Sequence, residues 1–184
     1  MEQSLSAVLE IMQATEPRSV LIVGSGPDRI NPWEVHGIPA TYLDIDARTN
    51  PDIVASMTNM GEIGQFDIVY CCHALEHLYP HEVNVALREF KRVLRPGGMA
   101  MIVVPDLEDV KPSNDLLPRS DGAKITGLHM YYGDHALIPE FPFMAHHCGF
   151  IAETLEYALR SAGFEARTVR ERDYNLVGIG INIG

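Results

Sequence analysis

Short apolar runs, each closed by glycine, proline or an acid, recur along the chain. Residues 19–23 (SVLIV) end at Gly24, residues 40–45 (ATYLDI) follow a short connection, and residues 52–55 add a brief third run. Residues 66–72 (FDIVYCC) and 99–104 (MAMIVV) are the fourth and fifth. Near-continuous, β-branched runs of this length predict strands buried on both faces. The period changes over residues 80–94, where Val83, Val85, Leu87, Phe90, Val93 and Leu94 predict an amphipathic helix halted at Arg95-Pro96-Gly97-Gly98. Helices are also predicted over residues 4–14, from Leu5, Val8, Leu9 and Met12, and over 151–162, which Gly163 stops. Residues 164–170 and 176–183 predict two last strands in an antiparallel hairpin at the sheet edge.

Alternating strands and helices imply a parallel sheet with right-handed crossovers, so the fold class is α/β: doubly wound and Rossmann-like, mostly parallel and seven-stranded. Residues 46–51 are too few for a crossover helix between the second and third strands. Either a bare loop links that pair or one of the two strands is marginal. Residues 111–142 are irregular and rich in proline and glycine. A segment that long inside a compact domain is usually functional. With the first helix it is the expected lid over a single domain spanning 1–184.

Length and charge narrow the function classes. A chain of 184 residues suits one core. Its net charge of -11 argues against a nucleic-acid partner, because phosphate backbones demand a basic face. The start of the chain has no basic n-region and no run of about 18 apolar residues occurs anywhere, so neither a signal peptide nor membrane insertion is expected. Three cysteines build no disulfide framework, and the cytoplasm is the expected compartment.

The chemistry-bearing residues gather at strand ends. Gly24-Ser25-Gly26-Pro27-Asp28 closes the first strand, where glycines let a ligand approach backbone amides. Asp44, with Asp46 behind it, closes the second, where an acid can accept both ribose hydroxyls of a nucleoside. Together they point to an adenosine-containing ligand. A dinucleotide site prefers a third glycine to receive a pyrophosphate, and Arg29 stands there, beside the acid Asp28. An acid suits a cationic sulfonium and amino group better than a pyrophosphate.

At this point the sequence resembles the class I S-adenosylmethionine-dependent methyltransferases, in particular small predicted bacterial members of the type 11 kind, over about residues 20–164. VLIVGSGP resembles the first motif, YLDID the acidic end of strand two, and PDIVASM the third strand with its adenine-side loop. FDIVYCCHALEHL with EVNVALREFKRVLRPGGMAMIVVPD is similar to the family's strand four, helix and strand five, and AHHCGFIAETLEYALRSAGF resembles its late helix. The resemblance implies S-adenosyl-L-methionine as cofactor. Gly24 and Gly26, with Ser25 between them, would line its methionine moiety and Asp44 its ribose. Ile45, Ser56 and Met57 would lie about the adenine, with Cys72 and His73 beneath. It implies methyl transfer to a small molecule, a glycan or lipid precursor being the natural acceptor.

The chain departs from the family pattern at three positions: Ile22 and Ser56 replace acids, and Asp28 replaces the motif's third glycine. These departures keep a rival open, a degenerate domain of the same fold that binds cofactor or partner without catalysis. A nicotinamide-dependent oxidoreductase is the other rival, disfavoured by the missing glycine.

Methyl transfer needs alignment and, for some acceptors, a base. His73, Glu76 and His77 cluster after strand four, where positions i, i+3 and i+4 share a face if the turn is helical. His73 and His77 are candidate bases, and His146 is favoured over His147 by the resemblance. Tyr131 and Tyr132 are candidates for an acceptor-pocket wall, and Trp33 reads as a packing residue. His129, His135, His146, His147 and Cys148 match no closed tetrahedral spacing, so no metal is expected. No G-x-S-x-G elbow marks a hydrolase. The apolar-rich loop leaves a homodimer as a candidate assembly.

Overall fold

The computed structural model describes residues 17–120, 122 and 124–184. The helix expected over residues 4–14, one half of the expected lid, lies outside the described residues. Strand β1 (Val20–Val23) is buried on both faces and pairs in parallel with β2 (Ala40–Asp44) and with β4 (Phe66–Cys72). The two-residue β3 (Ile53–Val54) pairs with β2 at the edge, and β5 (Leu94–Pro105) with β4. Two final strands, β8 (Glu165–Glu171) and β9 (Asn175–Ile181), complete a seven-stranded sheet of order β3-β2-β1-β4-β5-β9-β8. β9 runs antiparallel to both its neighbours, so the C-terminal hairpin folds back to place β9 between β5 and the edge strand β8.

Alternation along β1 divides the core. Leu21 and Val23 join a cluster with Leu87, Phe90, Leu155 and Leu159, while Val20 and Ile22 join Trp33, Ile38, Met99 and Ile179 in a second. Helix α1 (Pro80–Val93) buries Val83, Ala86, Leu87, Phe90 and Val93, and Val85 falls off this stripe into solvent. Pro80 opens the helix, and the Glu82 carboxylate accepts the Tyr79 amide at 3.0 Å. Its C-terminus is held by buried Asn182, whose amide donates to the Leu94 carbonyl at 2.9 Å and also reaches those of Lys91 and Arg95.

Two local expectations need revision. The Arg95-Pro96-Gly97-Gly98 stretch is not only a helix stop: β5 begins at Leu94, paired with Phe66, and the register shifts before Met99 meets Ile68. Residues 111–142 hold a two-stranded hairpin, β6 (Leu116–Leu117) with β7 (Ile125–Thr126), and a short helix α2 (Gly127–Tyr132). These elements are too short to leave a periodic signal. The link between β2 and β3 is a loop with a single 3-10 turn at Ala47–Thr49. The span between β1 and β2 likewise carries only the 3-10 turn Glu34–His36. Trp33 is buried with its ring edge-on to Tyr70, which plugs the sheet face where a crossover helix would otherwise pack. Helix α3 (Ala152–Ser161) starts where the Ile151 amide donates to Thr154 Oγ1.

Candidate functional site

β1, β2 and β4 end level, with Val23 opposite Leu43 on one side and Cys71 on the other. That alignment brings three loops to one end of the sheet. Past Val23, Gly24 and Gly26 take left-handed backbone angles (φ 68° and 58°), and the Gly24 and Ser25 amides both donate to the Leu43 carbonyl. Asp44, only 8% exposed, then ties the turn to β2. Its Oδ2 accepts the Gly26 amide and its Oδ1 the Asp46 amide, each at 2.9 Å. A carboxylate has about four lone-pair sites, so two remain for a ligand's hydroxyls. The buried Ser25 Oγ has no hydrogen-bond partner among the described residues. Both features fit a polar ligand lying across the turn.

Ile45 follows at 47% exposed and presents an apolar face beside Asp44. Arg48 is gripped by Asp46 and lies over the Phe141 ring at 4.7 Å, so the end of the 111–142 segment reaches the loop after β2. Ser56 Oγ shares a 2.7 Å hydrogen bond with Thr58, and Met57 packs against the main core. Cys72 is half-buried at the end of β4; burial, ahead of the opposing Tyr70 hydrogen bond, pushes its thiol up. Ile22 is only 4% exposed, in the second core cluster, so it is a packing position.

The histidines after β4 are brought together by an unusual backbone. His73 adopts φ 49°, which swings the chain into the 3-10 turn Leu75–His77. Its Nδ1 lies 3.3 Å from Glu76 Oε1 and its Nε2 3.0 Å from Asn175 Oδ1. Burial opposes protonation of His73, but the Glu76 carboxylate and Asn175 outweigh it and shift the imidazole towards its charged, donating form. His77 Nδ1 faces the Ala145 carbonyl and Nε2 the His73 carbonyl, both at 3.1 Å. His146 contacts His77 edge-on, 5.0 Å between ring centres, with its Nδ1 on the Met130 carbonyl. Burial depresses the His146 pKa and favours the neutral ring. His147 instead stacks on Tyr79. Cys148 is no nucleophile: burial and then the charge of Glu76 push its thiol up to about 12.

Tyr174, the neighbour in sequence of the His73 partner Asn175, lines a cavity with Asp106, Pro118, Ser120, Arg170 and Arg172, among others. Asp106 directly follows β5, whereas Asp44 is the last residue of β2; Asp106 is 3% exposed and paired with Arg170. Tyr131 donates its hydroxyl to the Val110 carbonyl, which packs the 111–142 segment onto itself, and Tyr132 is half-exposed beside His135.

Comparison with known proteins agrees with this geometry. The profile of the family described as "Methyltransferase domain" matches residues 35–102. An S-adenosylmethionine-dependent methyltransferase from Clostridium acetobutylicum ATCC 824 superposes with a TM-score of 0.67 at 9% identity, covering 96% of this chain and 89% of that one. The chain has the class I S-adenosylmethionine-dependent methyltransferase fold. A SAM-dependent methyltransferase from Archaeoglobus fulgidus gives 0.66 at 15% identity, covering 98% and 94%. The glycopeptide N-methyltransferase MtfA, complexed with S-adenosyl-L-homocysteine, gives 0.63 at 14%, covering 96% and 88%. No curated protein matches the sequence. Among the described residues no helix is long and apolar enough to cross a membrane.

Sequence reasoning missed Asp106, Asn175 and Phe141 as neighbours of the site. Asp106 had a usable signal, an acid closing the apolar run 99–105 just as Asp44 closes its own. Asn175 and Phe141 had none, because tertiary packing alone brings them to His73 and Arg48.

Proposed function

We propose that the protein transfers a methyl group from S-adenosylmethionine to a small polar acceptor. The observation that carries this reading is Asp44: a nearly buried carboxylate clamped to the glycine turn, with lone pairs left for vicinal hydroxyls. The fold and the bound S-adenosyl-L-homocysteine of MtfA support the same ligand.

In this reading Asp44 accepts the ribose hydroxyls, the Ser25 hydroxyl meets the amino-acid end, and Ile45, Ser56 and Met57 bound the adenine. When bound, the cofactor supplies an electrophilic methyl group on a sulfonium. The chain's task is then to hold the acceptor in line and exclude water. The cavity lined by Tyr174 is the acceptor's place. Its lining of Asp106, Ser120, Arg170 and Arg172 suits a hydroxylated molecule such as a glycan precursor better than an acyl chain. His73, tied to Glu76 and Asn175, orders the loop at this end of the sheet, and neutral His146 is the ring with a free nitrogen able to take a proton. Nothing in the geometry favours a degenerate domain: Ile22 is a packing residue and Asp44 is in place.

The test is calorimetric titration of the full chain with S-adenosyl-L-homocysteine. Micromolar binding is expected; no saturation at millimolar ligand would refute the cofactor assignment.

A further inference from the structure

One group in the fold has no role in holding cofactor or substrate and is not at rest without a partner. Glu76 is 1% exposed, and neither of its carboxylate oxygens accepts a hydrogen bond among the described residues. Its charged contact is the ion pair with His73 Nδ1 at 3.3 Å, which lacks hydrogen-bond geometry and leaves the second oxygen unmet. A buried, unsatisfied carboxylate is costly, and proteins retain one where something cationic meets it.

Two imidazoles converge on the same point. A carboxylate oxygen of Glu76 and one ring nitrogen each of His77 and His146 all lie within 4.8 Å of one another. His146 has its Nδ1 on the Met130 carbonyl, which leaves Nε2 as the free lone pair. His77 is held between two carbonyl oxygens, and a neutral imidazole carries one proton, so one of its nitrogens turns a lone pair on an oxygen. His146, fixed by a backbone carbonyl with its other nitrogen turned inward, has the usual posture of a metal-binding histidine, whereas His77 must trade one of its carbonyl contacts for the ion.

We infer that Glu76, His77 and His146 form a divalent transition-metal site, with zinc as the ion their chemistry fits first. Two imidazoles and one carboxylate are a ligand set that zinc accepts, whereas magnesium and calcium prefer oxygen alone. Three protein ligands leave a coordination position open. The scaffold around the site is ordered by contacts independent of the three side chains. The His147 and Cys148 amides both donate to the Glu76 carbonyl, and the His146 amide donates to the Tyr132 carbonyl. Sequence spacing conceals the set because the ligands come from adjacent residues after β4 and from a loop about seventy residues later. The carboxylate was not among the histidines and cysteines whose spacing argues for zinc. With an ion bound, His146 is a ligand and no longer a base. The inference holds whether or not the protein methylates anything.

The experiment is titration of the chelator-treated full chain with Zn2+, followed by calorimetry and melting temperature, and with Co2+, followed by visible absorption. One equivalent is expected to bind with micromolar or tighter affinity, raise the melting temperature and give a Co2+ band of a low-coordinate nitrogen and oxygen site. Near-isosteric Glu76→Gln, and separately His146→Gln, should each weaken binding by more than about 100-fold, since even outer-shell losses cost 10–100-fold. His147→Gln, outside the cluster, should leave binding intact. No saturable binding below millimolar metal, unchanged affinity in Glu76→Gln, or an equal loss in His147→Gln would overturn the assignment. The first of these outcomes would mean that the ion pair with His73, not a metal, is what Glu76 meets.

Discussion

Gly24 packs against Ala74 so closely that a Cβ on the glycine would collide with the alanine methyl. The contact locks the turn after β1 onto the exit of β4, and so sets the glycine turn beside His73. The sequence suggests that a glycine here makes room for a ligand; the structure shows that it first makes room for the protein itself.

Gly24→Ala therefore meets two penalties, a side chain at φ 68° and the collision with Ala74. Together these amount to about 2–5 kcal/mol of lost stability. Chemical denaturation should show that loss, and titration with S-adenosyl-L-homocysteine should show weakened binding in whatever fraction still folds.

Gly133 plays the same part for the histidine cluster. It sits at φ 85°, where a Cβ would strike the Met144 carbonyl and lie 3.2 Å from the His146 ring. Gly133→Ala is expected to cost about 2–4 kcal/mol and to displace His146. The zinc-induced rise in melting temperature should shrink more than the stability loss alone explains.

Asp67 joins the starts of β1, β4 and β5. It accepts the Arg18 amide and the Ser19 hydroxyl, each at 2.9 Å, and pairs with Arg95 at 2.8 Å. Partial burial raises its pKa, but the three partners together outweigh that and hold it below the ordinary 3.8. A depressed carboxylate stabilises the fold above its unfolded pKa, and the contribution fades as pH falls through the folded value. The stability gap between wild type and Asp67→Asn should thus be constant above about pH 5 and close progressively below about pH 4. A gap that widens on acidification would contradict the assignment.

The three cysteines should be silent to thiol reagents. Burial is the leading cause that raises Cys71, Cys72 and Cys148 alike, and Cys148 reaches about 12. Disulfide-exchange labelling at pH 8 should proceed slowly in the folded protein and report all three thiols at once after denaturation. Rapid labelling of one thiol would mark an exposed, activated thiolate that the fold does not predict.

What could be read from the sequence follows from how locally each feature is determined. The runs 19–23, 66–72 and 99–104 are largely buried, so composition alone marks them as β1, β4 and the second half of β5. Asp44 and the glycine turn were legible because a strand end is a position in the sequence as well as in space. The β6–β7 hairpin and α2 were not, since elements of two to six residues carry no period. The early start of β5 at Leu94 was hidden because Pro96, Gly97 and Gly98 read as a stop, whereas a register shift accommodates them. Glu76 and His146 meet only through the packing of the 144–148 loop onto the turn after β4, a long-range contact with no local signature.

The most direct test of the cofactor assignment is a calorimetric titration of wild type and Asp44→Ala with S-adenosyl-L-homocysteine, with melting temperatures measured alongside. Asp44→Ala also removes the acceptor of the Gly26 and Asp46 amides, so Asp44→Asn, which keeps one oxygen, belongs beside it. Wild type is expected to bind at micromolar ligand, Asp44→Asn more weakly, and a folded Asp44→Ala not at all. Undiminished binding in folded Asp44→Ala, or no binding to wild type at millimolar ligand, would contradict the cofactor assignment.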